Sequence, residues 1–307
     1  VAQMRASTAV LGPLISRFGK AVVAMPGGCN IGARKIDMHI LGLEELGVQF
    51  DVRHGNIHAT TPNGITGNTV TLAFASVGAT ENLMMASVHA KGTTIIDNAA
   101  REPEIEDLAN MLNAMGARVA GAGPSLIEIE GVPLSTLHPC EHTTVGDRIE
   151  AGTFLAIGGL CGEPVRVNGF DPVHLGLVLK KFGKMGITVQ RGVRGCTVWR
   201  EGPILPTDIQ TLPFPGFPTD MQAQTMCLLA LAKGSCVITE NVFENRFMFA
   251  SELQRMGADI TIEGHHAIVH GVPGFSGTQV KSPDLRGGAA LVMAGLVADG
   301  VTTVSAI

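Results

Sequence analysis

At 307 residues the chain exceeds the size over which one hydrophobic core usually grows, so two domains are expected. With 45% hydrophobic and 16% charged residues it reads as a well-packed globular protein, which excludes a disordered chain. A net charge of −5, one Trp and no Tyr offer neither a basic field nor a stacking platform for nucleic acid, and no apolar run reaches the roughly 18 residues of a membrane span.

The predicted elements repeat along the chain. Helices rich in Ala, Leu and Gly, apolar on nearly every side, are expected over residues 4–18, 78–90, 149–160, 221–232 and 285–298. A helix of that kind is buried over most of its surface. Each is followed by a strand-like run, at 21–25, 92–96, 165–168, 235–240 and 301–304. A second helix series, of which 37–46 is the first member, ends at Gly47, Gly116, Gly186 and Gly257, which lie 69, 70 and 71 residues apart. Each of these glycines stands between a helical and an extended pattern, as a left-handed C-terminal cap does. Two short strands follow each cap, such as 259–263 and 267–270 around the turn-prone Gly264, His265 and His266. The module is therefore buried helix, strand, loop, amphipathic helix, glycine cap, strand, strand. A period this long implies a few copies packed round a shared core.

Residues 136–147 interrupt the pattern with Pro139 and Gly146, and are the expected crossover between a first domain, 1–146, and a second, 147–307. The fifth module begins at Leu285 and stops after its first strand, so the chain reads as a fragment of a longer protein.

Six cysteines (Cys29, Cys140, Cys161, Cys196, Cys227 and Cys236) form no CxxC pair and no Cys/His grouping. They read as reduced thiols of a reducing compartment, mostly small core residues, and no metal site is expected. Cys29 stands apart, on the loop Pro26-Gly27-Gly28-Cys29-Asn30-Ile31-Gly32-Ala33-Arg34 between a strand and a helix. Its glycines allow a ligand close approach, and nearby Arg34 and Lys35 can lower its thiol pKa; an inert loop cysteine is the other reading of the same residues. Ser76 is a good N-cap for the helix that follows, whose free amides form a natural anion site. Asp147, Asp220 and Asp284 lie at helix starts, where capping and proton acceptance are both open to a carboxylate. Arg5, Arg34, Arg246 and Arg286 occupy loops or helix starts and would bind phosphates or carboxylates if they converged. The ten histidines show no HExxH spacing and no obvious nucleophile partner.

Taken with the stretches Met4–Ser7, Asn98–Glu104, Asp147–Thr153, Phe217–Gln224, Phe243–Met248 and Asp284–Arg286, these residues resemble the UDP-N-acetylglucosamine 1-carboxyvinyltransferases, enolpyruvyl transferases of peptidoglycan precursor synthesis. The resemblance runs along nearly the whole chain. It implies an inside-out α/β barrel fold of two domains, built from repeated βαβ-like modules with the helices inside, and six modules in all. It implies small-molecule substrates, phosphoenolpyruvate and UDP-N-acetylglucosamine, no cofactor, no obligate protein partner and a cytoplasmic location.

By the same resemblance Cys29 is the general acid near C3 and the target of fosfomycin, and Asp220 binds the sugar 3-hydroxyl as base. Arg34 contacts phosphate, and Ser76, Val77 and Gly78 hold the diphosphate. Arg5, Lys35, Ile36, Asp37 and Met38 lie along the nucleotide, with Val242 and Phe243 beside the sugar. Arg246, Asp284 and Arg286 engage the enolpyruvyl ligand. Two departures from the family stand out: Lys35 where proline is common, and Phe74 where lysine is common. The family's N-terminal Lys-Asn pair and last cleft arginine fall outside the chain, so the fragment alone is expected to be inactive. The alternatives are a non-catalytic nucleotide-sugar-binding paralogue and an enolpyruvylshikimate-phosphate synthase-like transferase, though the latter lacks the Cys29 loop and the Phe243–Phe247 stretch.

Overall fold

The computed structural model describes residues 5–25 and 36–307, with Arg5 as backbone alone. The described residues form two compact units, the chain passing from one to the other between Val145 and Gly146. No helix among them is long and apolar enough to cross a membrane.

The first unit opens with a 3-10 turn, Arg5–Val10, that runs into α1 (Leu11–Phe18). One continuous helix was expected here, and Pro13 explains the change. In an unbroken helix it would lie in the interior with no N–H to donate, whereas in α1 it falls in the first turn, where proline is tolerated. Then follow β1 (Lys20–Ala24), α2 (Asp37–Glu45), β2 (Gln49–Arg53) and β3 (Asn56–Thr60), the strands forming an antiparallel sheet of order β1-β3-β2. The next module comprises β4 (Thr69–Thr71), α3 (Val77–Ser87), β5 (Thr93–Asp97), α4 (Pro103–Ala114), β6 (Arg118–Ala120) and β7 (Leu126–Glu130). Its sheet runs β4-β5-β7-β6, with only β4 and β5 parallel.

The second unit repeats the plan. Its first module has α5 (Arg148–Cys161), β8 (Val165–Asn168), α6 (Gly176–Lys184), β9 (Thr188–Gly192) and β10 (Gly195–Trp199), in sheet order β8-β10-β9. Its second has β11 (Ile209–Gln210), a 3-10 turn Thr219–Met221, α7 (Gln222–Leu229), β12 (Ser235–Thr239), α8 (Ala250–Arg255), β13 (Asp259–Glu263) and β14 (His266–His270). That sheet, β11-β12-β14-β13, matches the one in the first unit strand for strand. The chain closes with β15 (Gln279–Lys281), α9 (Leu285–Val297) and β16 (Thr303–Ser305), the two strands parallel.

The four spaced glycines cap their helices as expected, with φ of 92° at Gly47, 103° at Gly116, 81° at Gly186 and 99° at Gly257. The short strands β4, β11 and β15 were not expected. Each is two or three residues long, too short to show alternation, and each pairs in parallel with the strand that follows the buried helix.

The helices lie inside. Every residue of α7 is buried, whereas β7 alternates exposed and buried positions along its length. Each unit has its own apolar core. Helices approach closely where glycine removes the side chain. A Cβ on Gly12 of α1 would stand 2.3 Å from the Asn82 carbonyl oxygen of α3, and one on Gly152 of α5 would stand 2.7 Å from the Met221 sulfur. Polar cross-links tie the same helices together: Asn82 Oδ1 accepts from the Gly12 amide at 2.7 Å, and Gln224 Nε2 donates to Thr153 Oγ1 at 2.8 Å.

These contacts separate two kinds of helical glycine. Gly12→Ala should destabilise the protein by about 1–3 kcal/mol, because its obstruction is backbone that cannot rotate away. Gly183→Ala, an exposed position in α6 with nothing within 4 Å, should instead stabilise by roughly 0.5–1 kcal/mol. Denaturant unfolding of the two variants checks the pair; equal effects would contradict the close helix packing.

Candidate active site

In the first unit, two helix starts lie side by side. Ser76 caps α3, its hydroxyl accepting from the Ala79 amide at 3.4 Å, and leaves the amides of Val77 and Gly78 in the opening turn without an acceptor among the described residues. Ile36 and Asp37 begin α2, where Asp37 Oδ1 accepts from the Met38 amide at 3.0 Å. The residue that joins the two is His39. A Cβ on Gly78 would meet its ring at 3.1 Å, and its Nδ1 lies 2.8 Å from Asn82 Nδ2. Asn82 Nδ2 also donates to the Thr8 carbonyl at 2.7 Å, so the amide supplies the proton to Nδ1, and the neutral ring carries its own proton on Nε2. Through His39 the start of α2, which carries residues 36–38, is linked to Gly78 in the first turn of α3.

His39 and Asn82 were not anticipated as part of this site. The signal was present: His39, Gly42 and Leu43 are the buried positions of α2, at helical spacing, so a histidine occupies the apolar stripe.

In the second unit the three acidic residues at helix starts separate by role. Asp147 caps α5, accepting from the amides of Ile149 at 2.8 Å and Glu150 at 3.0 Å. Asp284 caps α9, accepting from Arg286 at 3.0 Å and Gly287 at 3.2 Å. Asp220 caps nothing. It lies in the 3-10 turn ahead of α7, its Oδ1 2.8 Å from Arg246 Nη2 and its Oδ2 3.1 Å from Arg286 Nη2. Capping by Asp284 fixes the first turn of α9, and so the base from which Arg286 reaches Asp220.

Burial raises the Asp220 pKa, but the charges and hydrogen bonds of Arg246 and Arg286 outweigh it and hold the carboxyl below its ordinary value. Its side chain remains 37% exposed, so a ligand can reach it. Arg246 is buried, with its guanidinium 5.7 Å from the Phe243 ring centre and a shielded Nε that has no hydrogen-bond partner among the described residues. It therefore has donor capacity that Asp220 does not use. Val242 and Phe243 line an open cavity of about 590 Å³ together with Glu240, Asn241, Glu244, Gly264 and His265.

Asp220, Arg246, Asp284 and Arg286 are thus assembled in one place, with Phe243 against Arg246. Cys29, Arg34, Lys35 and the side chain of Arg5 lie outside the described residues. Four other cysteines are poor candidates for a reactive thiol. Burial raises the thiol pKa of Cys161, Cys196 and Cys227, and pushes Cys236 up to about 11.

A profile of the family described as EPSP synthase (3-phosphoshikimate 1-carboxyvinyltransferase) matches residues 1–307. The chain belongs to the EPSP synthase family. Among curated members, it is 50% identical over 305 residues to UDP-N-acetylglucosamine 1-carboxyvinyltransferase 1 of Staphylococcus aureus (strain MRSA252), covering 99% of this chain and 72% of the relative. It is 52% identical over 307 residues to the protein of the same name from Symbiobacterium thermophilum, covering 99% of this chain and 69% of the relative. Among solved structures, the enolpyruvyl transferase NikO from Streptomyces tendae superposes with a TM-score of 0.84 at 27% identity, over 96% of this chain and 70% of that one. EPSP synthase from Acinetobacter baumannii superposes with a TM-score of 0.70 at 20% identity, over 99% of this chain and 75% of that one, a likeness of fold. The fold is the inside-out α/β barrel of this enolpyruvyl transferase family.

The Asp220 ion pairs have a pH signature. A depressed carboxyl pKa contributes stability that is full above the unfolded value, ordinarily about 3.9, and is lost as pH falls through the folded one. Asp220→Asn should therefore lower the melting temperature most near neutral pH, where it leaves Arg246 and Arg286 facing each other without an anion. The gap to the unsubstituted protein should close only at strongly acid pH, as the pH falls through the depressed pKa of Asp220 and the carboxyl itself becomes neutral. A gap that does not change with pH would mean that the pairs do not form in solution.

Proposed function

We propose that this protein transfers the enolpyruvyl group of phosphoenolpyruvate to the 3-hydroxyl of UDP-N-acetylglucosamine and releases phosphate, the first committed step of peptidoglycan precursor synthesis. The observation that carries this reading is 50% identity over 99% of the chain to an enzyme of that name. The residue pattern that the reaction requires supports it. The reaction exchanges one C–O bond for another without oxidation or reduction, so it calls for no redox cofactor. Phosphoenolpyruvate and nucleotide sugars are made inside the cell, which makes the cytoplasm the place of action.

The chemistry divides among named groups. The sugar 3-hydroxyl adds to C2 of phosphoenolpyruvate while Asp220 accepts its proton and Cys29 delivers a proton to C3. The tetrahedral adduct then returns a proton from C3 to the Cys29 thiolate as the C2–O bond to phosphate breaks, restoring the double bond and the thiol, and the departing phosphate takes the proton held by Asp220. Ser76, Val77 and Gly78, with the helix dipole of α3 behind them, hold the nucleotide diphosphate. Ile36, Asp37 and Met38, with Arg5 and Lys35, follow the nucleotide, and Val242 and Phe243 flank the sugar. Arg34 binds the phosphate of phosphoenolpyruvate, and Arg246 and Arg286 bind the enolpyruvyl ligand as an anion.

The ion pairs on Asp220 also bear on its strength as a base. With a guanidinium on each oxygen it is ionised but weakly basic. An anionic substrate that draws donors of Arg246 and Arg286 to itself removes part of that stabilisation and raises the affinity of Asp220 for a proton.

Phosphate release by the native polypeptide carrying these residues provides the test. Release is expected with phosphoenolpyruvate plus UDP-N-acetylglucosamine and not with shikimate 3-phosphate as acceptor. Asp220→Ala should lower kcat by about 10²–10⁴-fold. Cys29→Asp should keep turnover but resist alkylation by fosfomycin, since a carboxylic acid donates a proton yet is a poorer nucleophile. Binding of the nucleotide sugar without any phosphate release would refute the assignment.

A further inference from the structure

Strand β12 buries alternate residues, and that register continues past its end. Cys236 and Ile238 face inward, and two residues further on so does Glu240, which is 3% exposed. A carboxylate in a core register is costly unless its oxygens are fully used. Here they are. Oε1 accepts from Thr211 Oγ1 at 2.8 Å and from the amides of Val242 at 2.9 Å and Phe243 at 3.2 Å, while Oε2 accepts from Thr219 Oγ1 at 2.9 Å. No arginine or lysine pairs with it among the described residues.

The four donors come from three different segments. Thr211 follows β11 and in turn accepts from the Asn241 amide at 2.9 Å. Thr219 opens the 3-10 turn and is the residue immediately before Asp220. Val242 and Phe243 begin the loop that carries Arg246, whose amide lies 3.3 Å from the Phe243 carbonyl. One buried carboxylate thus fastens the turn that bears Asp220 to the loop that bears its partner Arg246. An apolar side chain would fill the same space at lower desolvation cost, but it would hold neither segment at a defined distance.

We propose that Glu240 is a positioning residue for the reaction, which sets Asp220 against Arg246 and the sugar-flanking loop without touching substrate itself. This rests on the enolpyruvyl transfer reading above. Glu240 acts through Thr219 on one side and the amides of Val242 and Phe243 on the other. A glutamine can keep most of the arrangement, its oxygen accepting from the two amides and its NH2 donating to a rotated Thr219 hydroxyl. An alanine keeps none.

The decisive variant is Thr219→Val, which removes one bond to Glu240 and leaves three in place. It should lower kcat about tenfold while changing KM for the nucleotide sugar by less than about threefold, the effect of losing one hydrogen bond to a charged group that aims the base. The acid limb of the kcat profile should move to higher pH, because Asp220 would sit less squarely between its arginines. Glu240→Gln should retain most of the activity and Glu240→Ala should lose it; if the alanine variant fails to fold, Thr219→Val and Glu240→Gln decide. The titration of the Asp220 carboxyl, followed by carbon-13 NMR, is read in parallel and does not depend on turnover. It should shift upward in Thr219→Val. Absence of turnover in the unsubstituted enzyme would defeat the functional reading alone, and the titration would still judge Glu240. An unchanged Asp220 titration in a folded Thr219→Val variant, or loss of kcat that only follows the folded fraction, would overturn the proposal.

Discussion

A helix buried on all sides has to be covered by other elements all round, and most of this architecture follows from that constraint. Helix α7 is buried at each of its positions, so it cannot lie on a surface, and the strands form the outer layer instead. Covering such helices with one another requires small residues at the crossings. Gly12 against the Asn82 carbonyl, and Gly152 against Met221, are places where a single methyl group would have to displace its neighbour. The 39 glycines of the chain are therefore partly a packing requirement, beyond the caps and turns that need a positive φ.

The same constraint creates the functional ends of the units. A buried helix still has unsatisfied amides at its first turn, and they need a cap, a ligand or water. Ser76, Asp147 and Asp284 supply caps for α3, α5 and α9. In the second unit the helix starts are neighbours: Gly152 in α5 meets Met221, and Asp220, next to Met221, meets Arg286 in the first turn of α9. Asp220 and Arg286 sit at the starts of closely packed helices, and Arg246 joins them from the loop that follows β12. This is how a protein with only 16% charged residues concentrates two arginines and two aspartates in one cluster.

Much of this was legible in the sequence, and the exceptions have physical causes. The all-round apolarity of five segments told of buried helices, and four evenly spaced glycines told of the repeat, because both depend on local pattern. The break at Val10, between the 3-10 turn and α1, was also written locally, in Pro13, but the apolar run concealed it. Strands of two or three residues such as β11 have no period to detect and exist through their partner alone. The roles of Asp147, Asp220 and Asp284 could not be separated from sequence, since each precedes a helix. Only the spatial approach of Arg246 and Arg286 distinguishes Asp220 from a cap. Glu240 lies between these cases: its inward register was readable from Cys236 and Ile238, while the identity of its four donors was not.

The electrostatics of the cluster connect the resting fold to its chemistry. Asp220 serves the unliganded protein as the counterion that lets two guanidinium groups lie close together, one of them buried. The pairing that makes this stable also makes Asp220 a weak base, so stability and reactivity draw on the same two contacts in opposite directions. In the proposed reaction a ligand anion replaces Asp220 as the arginines' partner, and the carboxylate regains basicity only when a substrate is present to use it. For that exchange to work, Asp220 has to stay where it is while its partners turn to the ligand. Its own hydrogen bonds cannot hold it, because they are the ones being given up. The restraint has to come through the backbone of the turn, and the bond from Thr219 to the buried Glu240 is placed to supply it.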